Sequence, residues 1–235
     1  MVNGQGFGFL DSGGKFRSLN PPGGTATDAS GINDSGDIVG TYQPNGTTKA
    51  VSFLLKAGAY SNIIYPGATN TFASNINNQG DIVGNYDDRS NTQHGFLYSG
   101  GVYSDIDPPG SVHTLVGGIN SLGEIVGIYC VSPCTTFQVF TYVGGTYSNL
   151  SFPGSVELSD VNTEGDIVGS WEPSSGFEED FFYKAATQTF VPFDIDGSSD
   201  TGALGINDSC AIVGFYIDPT TSNSSGFYIR SSSCM

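Results

Sequence analysis

Apolar residues fall in short bursts separated by Gly, Pro, Asn, Asp, Ser and Thr. The bursts are rich in Ile, Val, Phe and Tyr, and turn-forming residues bound them, which predicts strands. None approaches the roughly 20 apolar residues needed to span a bilayer as a helix.

The pattern repeats. Five segments align: GINDSGDIVGTY from Gly31, NINNQGDIVGNY from Asn75, GINSLGEIVGIY from Gly118, DVNTEGDIVGSW from Asp160 and GINDSCAIVGFY from Gly205. Their shared Asn stands at 33, 77, 120, 162 and 207, at spacings of 44, 43, 42 and 45. After each comes an apolar-aromatic run such as HGFLY (94–98), a Gly turn, a YxxI-like run such as YSDID (103–107) and a Pro-Gly linker. Each unit therefore reads as four short strands. Asn-x-x-Gly between the first two is a hairpin signature, because Asn bonds its own backbone and Gly accepts φ > 0. In IVGxY both strand faces are apolar, as in stacked sheets. Four-stranded units at this period predict an all-β, five-bladed β-propeller of antiparallel blades, in one domain over residues 1–235. The repeats run about 1–42, 43–86, 87–129, 130–171 and 172–216, with a closing strand in 217–235. Residues 7–19 read as strands three and four without a preceding pair, so the last blade is expected to close from both termini. One strand is then surplus, either GFGFL or GFYIR. Gly40, Gly84, Gly127, Gly169 and Gly214, inside the second strands, are expected where blades approach closely.

The GINxxGDIVGxY and HGFLY pattern resembles the bacterial extracellular HAF repeats, named for a His-Ala-Phe in the third strand. Here only His94-Gly95-Phe96 keeps the His, with Gly in place of Ala. The resemblance implies a repeat architecture and export, and carries no catalytic residue set.

Composition narrows the function classes. Gly (34) and Pro (11) are abundant, and 7 basic against 23 acidic residues give a net charge of −16. So few cations argue against nucleic acid and anionic membranes as partners. MVNGQGFGF shows neither a basic n-region nor an apolar h-region, so no signal peptide is expected in it. Pairing IVGFY (212–216) with GFYIR (226–230) brings Cys210 and Cys234 to one end of a hairpin, and Cys130 and Cys134 flank a tight loop. Disulfides Cys130–Cys134 and Cys210–Cys234 are therefore expected, with no cysteine metal site, in an oxidising extracellular, periplasmic or cell-surface setting.

In this strand order the linkers and the loops between strands two and three share one face. Those loops, 43–50, 87–93, 130–136, 172–179 and 217–225, differ from one another and are the natural carriers of function. Tyr86, Tyr129, Trp171 and Tyr216 end second strands beside them, and Arg89 lies in the second loop; all are candidates for ligand contact. Trp171 departs from the Tyr pattern and suits stacking on a sugar. Repeat alignment also places Asp107, His113, Glu157, Asp196 and Asp200 towards the axis of that face. Such carboxylates could act as acid and base on a glycosidic bond, or hold Ca²⁺; no other cofactor is expected. The favoured reading is a monomeric, secreted module that binds carbohydrate or another polar ligand. A polysaccharide-cleaving enzyme and a structural or adhesion domain are the alternatives. Mass measurement without reductant should find no free thiol; four free thiols would remove the cysteine argument for export.

Overall fold

The computed structural model describes residues 6–172 and 179–230. These residues contain twenty-one strands and no helix. By contacts the chain divides into two compact units. The first holds the described residues up to Asp107 together with His113–Val116; the second holds Pro108–Val112 and the described residues from Gly117 on.

In the first unit, β1 (Gly8–Ser12) and β2 (Lys15–Leu19) form a hairpin. Two four-stranded antiparallel sheets follow in plain sequence order. They are β3 (Gly24–Ile32), β4 (Ile38–Pro44), β5 (Val51–Lys56) and β6 (Ala59–Ile63), then β7 (Asn70–Ile76), β8 (Ile82–Asp87), β9 (Gln93–Ser99) and β10 (Val102–Asp105). The next sheet runs β11 (Ser111–Ile119), β12 (Ile125–Val131), β13 (Gln138–Val143) and β14 (Thr146–Leu150), with β11 divided between the units. The second unit continues with β15 (Ser155–Val161), β16 (Ile167–Glu172), β17 (Glu179–Lys184) and β18 (Thr189–Phe193). It ends with a three-stranded sheet of β19 (Asp200–Ile206), β20 (Ala211–Ile217) and β21 (Ser224–Arg230).

The surplus strand now has a place. GFYIR lies in β21 and pairs along β20 from Ala211↔Arg230 to Ile217↔Ser224, as the third strand of the last sheet. GFGFL forms β1 with β2 as partner, in a hairpin of its own. That hairpin meets β3 as β5 meets β7: Thr27 N–H donates to Gly6 O at 3.1 Å, and Thr71 N–H to Ala50 O at 3.2 Å.

Four of the five third strands contribute a fully buried ring, Phe53, Phe96, Phe140 or Phe181, and Phe227 in β21 is half-buried. Burying one is worth roughly 1.5–3 kcal/mol against an exposed ring. Second-strand residues such as Val39, Ile82, Val168 and Ile212 fill the space between sheets.

The hairpin turns follow the sequence. Gly36, Gly80, Gly123 and Gly165 take positive φ, and Cys210 at the fifth turn takes φ 56°. Oδ1 of each repeated Asn accepts two backbone N–H groups of its own turn, as Asn33 does from Ser35 and Asp37. The carboxamide also reaches onward. Asn33 Nδ2 donates to Asn77 O at 3.1 Å, Asn120 Nδ2 to Asn162 O at 2.9 Å, and Asn162 Nδ2 lies 3.8 Å from Cys210 Sγ.

The second-strand glycines need a different account from the one expected. A Cβ on Gly40, Gly84, Gly169 or Gly214 would overlap a main-chain carbonyl of the first strand of its own sheet: Asp28, Phe72, Glu157 or Gly202. Each of these pairings carries a β-bulge just beyond that point, which bends the first strand onto the second. The close approach lies within a sheet.

Cys130 and Cys134 form the expected disulfide, with Cα atoms 5.1 Å apart. Cys210 is also disulfide-bonded; its expected partner, Cys234, lies outside the described residues.

Asn120 is 3 % exposed, whereas Asn207 is exposed. Asn120→Ala should cost roughly 2 kcal/mol, because it strands the buried Asn162 carbonyl and two part-buried turn N–H groups, and Asn207→Ala clearly less. Urea unfolding midpoints test the order.

Candidate functional site

The first unit contains an open cleft of about 460 Å³ between its two four-stranded sheets. β3 and β7 supply Asp28, Ser30, Phe72 and Ser74; the end of β4 and the loop after it supply Thr41, Gln43 and Thr48. The loop is braced by Thr25 Oγ1–H donating to Gln43 O at 3.0 Å and by Asn45 N–H donating to Gly23 O at 2.8 Å. Asp28 and Phe72 each follow the buried Thr of their strand, Thr27 and Thr71, so one repeat position carries an acid in the first sheet and an aromatic residue in the second, and both line the cleft.

Asp28 differs from every other carboxylate of this unit. Asp11 and Asp88 cap turns through backbone N–H groups. Asp34, Asp81 and Asp87 accept from Asn side chains. Asp37 takes Lys56 Nζ at 2.7 Å. Asp105 accepts from Tyr65 and Tyr86, and Asp107 faces His94. Asp28 is exposed, and its carboxylate has no such donor among the described residues.

A second constellation lies in the second repeat. His94 Nδ1 stands 2.7 Å from Asp107 Oδ2, and Gly95 N–H donates to Asp107 Oδ1 at 3.2 Å. His94 Nε2 faces Asp88 Oδ2 at 3.9 Å. The imidazole stacks on Tyr86, which stacks on Tyr65 with ring centres 3.7 Å apart. Both phenols donate to Asp105 Oδ1, at 2.9 and 2.6 Å. Burial, then this bond, pushes the Tyr86 hydroxyl well above the usual phenol range. Turn N–H groups, Thr92 first, hold Asp88 below the usual carboxylate range. Asp107, predicted as catalytic, is thus half-buried and engaged by His94.

The predicted ring of second-strand aromatics is tied down across its blades. Tyr42 donates to Asn62 Oδ1 at 3.0 Å, Tyr86 to Asp105, and Tyr129 to Asn149 Oδ1 and Gln138 Oε1 at 3.2 Å. In the fourth repeat the corresponding fourth-strand residue is Pro192, which pairs with Phe181 as Asn62 pairs with Phe53. Pro192 offers no side-chain acceptor, and Trp171 Nε1 is buried without a partner among the described residues. The indole packs edge-on against Phe190, 5.1 Å between ring centres. Tyr216 is half-buried, and Arg89 is exposed.

Asp107 and His113 belong to the first unit; Glu157, Asp196 and Asp200 belong to the second and are exposed. Sequence reasoning passed over two acids that the structure brings beside Asp200. Asp194 accepts from Thr201 Oγ1 at 2.8 Å and Ser198 Oγ at 3.1 Å, seven residues before the Thr, as Asp107 lies seven before Thr114. Asp180 is fully buried; its Oδ1 accepts from Ala203 N–H at 2.9 Å, and Oδ2 has no hydrogen-bond partner among the described residues. Its counterpart Ser52 solves the same seam with one hydroxyl, donating to Thr71 O at 2.8 Å and accepting from Ala73 N–H at 2.6 Å. The signal for Asp180 was an acid directly before the buried Phe of a third strand. Among the described residues no group of three or more His, Cys, Asp or Glu is placed to hold a metal ion.

Over most of its length the chain matches solved propellers, and the fold is a β-propeller whose five repeats make it five-bladed. The β-propeller domain of the Trilobed protease from Pyrococcus furiosus matches with TM-score 0.54 and 11% identity, over 91% of this chain and 70% of that one. A TolB-type protein from Agrobacterium tumefaciens matches at 0.65 and 12%, over 92% and 85%. A mutant of the Aleuria aurantia lectin, in complex with α-methyl-L-fucoside, matches at 0.56 and 11%, over 92% and 80%. No family model matches the sequence, and no curated protein does.

Burial first, then Asp194 and Asp200, pushes the Asp180 carboxyl up to about 6. The folded state thus favours the protonated acid. That stabilisation is complete below the ordinary Asp value near 4 and is lost as pH rises through about 6. Asp180→Ser, which installs the Ser52 solution, should flatten stability between pH 4 and 7. Urea midpoints across that range measure it; an unchanged slope would assign the pH dependence elsewhere.

Proposed function

We propose that this protein is a binding module that recognises carbohydrate on the loop-bearing face of the propeller, through the cleft between the first and second repeats. The cleft carries this reading. It combines the Phe72 ring with a small set of polar groups from Asp28, Ser30, Gln43, Thr48 and Ser74. Binding sites generally pair apolar surface with a few such groups that fix orientation. A pyranose offers the complement, a C–H face for the ring and hydroxyls that both give and take hydrogen bonds. The lectin with the same fold and a bound fucoside supports the reading by analogy of architecture alone. The Cys130–Cys134 disulfide supports an extracellular or periplasmic site of action.

A glycan array, with product analysis of every hit, separates binding from cleavage. The expected result is saturable binding with the glycan recovered intact. Phe72→Ala should weaken it roughly tenfold, since losing the ring contact removes on the order of 1 kcal/mol or more. Cleaved product would replace the binding module with an enzyme. Silence across the array would leave the adhesion-domain alternative.

A further inference from the structure

We propose that the cleft selects uncharged or ammonium-bearing sugars and turns away uronates, sialates and sulfated sugars. This rests on the carbohydrate reading above and names the ligand class within it. Among the described residues Asp28 is the one charged member of the lining. The lining's other titratable side chain, Tyr42, is 7 % exposed and spends its hydroxyl on Asn62. The remaining polar lining groups are hydroxyls and the Gln43 amide, which give and take hydrogen bonds equally well. Only Asp28 distinguishes donors from acceptors. An ionised carboxylate accepts and cannot donate, so it asks the ligand for two neighbouring hydroxyls or an ammonium.

The carboxylate is uncommitted. Every other acid of the unit has a donor within the fold, from turn N–H groups to Lys56 and His94. Asp28 stands exposed at the cleft without one among the described residues. A structural role would leave it partnered as its neighbours are. An anionic sugar placed here would meet a like charge with no cation in the lining to offset it. Lys49 stands between two lining residues but is not itself part of the lining. The chain's net charge of −16 acts in the same direction at long range.

The test measures affinity for three matched oligomers of glucosamine, N-acetylglucosamine and glucuronic acid, in wild type and in Asp28→Asn. Wild type should bind the first two at least roughly tenfold more tightly than the third, the discrimination usual for a hydrogen-bonded charge. Binding of the ammonium probe should weaken with added salt. Asp28→Asn keeps the shape and removes the charge, so it should bring the glucuronate within a few-fold of the neutral probe. An unchanged melting temperature would show that this exposed substitution leaves the fold intact. Equal wild-type affinity for the glucuronate, or a ratio unmoved by Asp28→Asn, overturns the selectivity. Failure of all three probes, together with silence on a wider array, overturns the carbohydrate reading itself.

Discussion

A single carboxamide at each inner hairpin holds this structure in register. Oδ1 of the repeated Asn takes two N–H groups of its own turn, and Nδ2 of Asn33 and of Asn120 donates to the carbonyl of the next repeated Asn. Asp would lack the donor and Ser the reach, so Asn alone closes a hairpin and ties it onward with one side chain. Burial of Asn77, Asn120 and Asn162 to within a few per cent strengthens those bonds and makes their loss costly. The bulge and the second-strand glycine follow from the same hairpin. The bulge turns the first strand onto its partner, and only a residue without Cβ leaves room for the carbonyl that results.

Away from those hairpins the repeats begin to differ, and chemistry enters at the differences. The residue before the buried third-strand Phe is Ser52, Gly95, Val139 or Asp180, so the same seam is bridged by a hydroxyl, closed by bare backbone, packed by a branched side chain or loaded with a buried acid. The acceptor for the second-strand aromatic is Asn62, Asp105 or Asn149, whereas Pro192 in the fourth repeat offers none and the Trp171 indole N–H has no partner among the described residues. After the buried Thr of the first strand comes Asp28 in one repeat and Phe72 in the next. Two unlike residues at one repeat position, presented by neighbouring sheets, give the cleft its mixed character.

The repeat made the fold readable. Period, strand count and hairpin turns come from local rules that repetition confirms several times over, and the Cys130–Cys134 bridge from the short spacing of its two cysteines. The bulges were hidden, since nothing in a first strand such as β7 marks the residue that falls out of register. The roles of the aromatic ring were hidden too. Whether Tyr86 or Trp171 faces a ligand depends on the fourth-strand residue across the blade, some twenty positions away. His94 and Asp107 were each noted for other reasons, and their 2.7 Å contact depends on how β9 and the linker after β10 converge.

Gly and Asn at fixed intervals, with apolar bursts between them, determined by themselves that this chain forms short antiparallel strands in five like units, because φ preferences and strand periodicity act over a few residues. Tertiary structure alone decided which acids are spent and which are left over. Asp28, Asp37 and Asp107 look alike along the chain, and their fates are set by whether another strand brings a donor within about 3 Å. That distance depends on packing between sheets, and short-range sequence rules do not reach it.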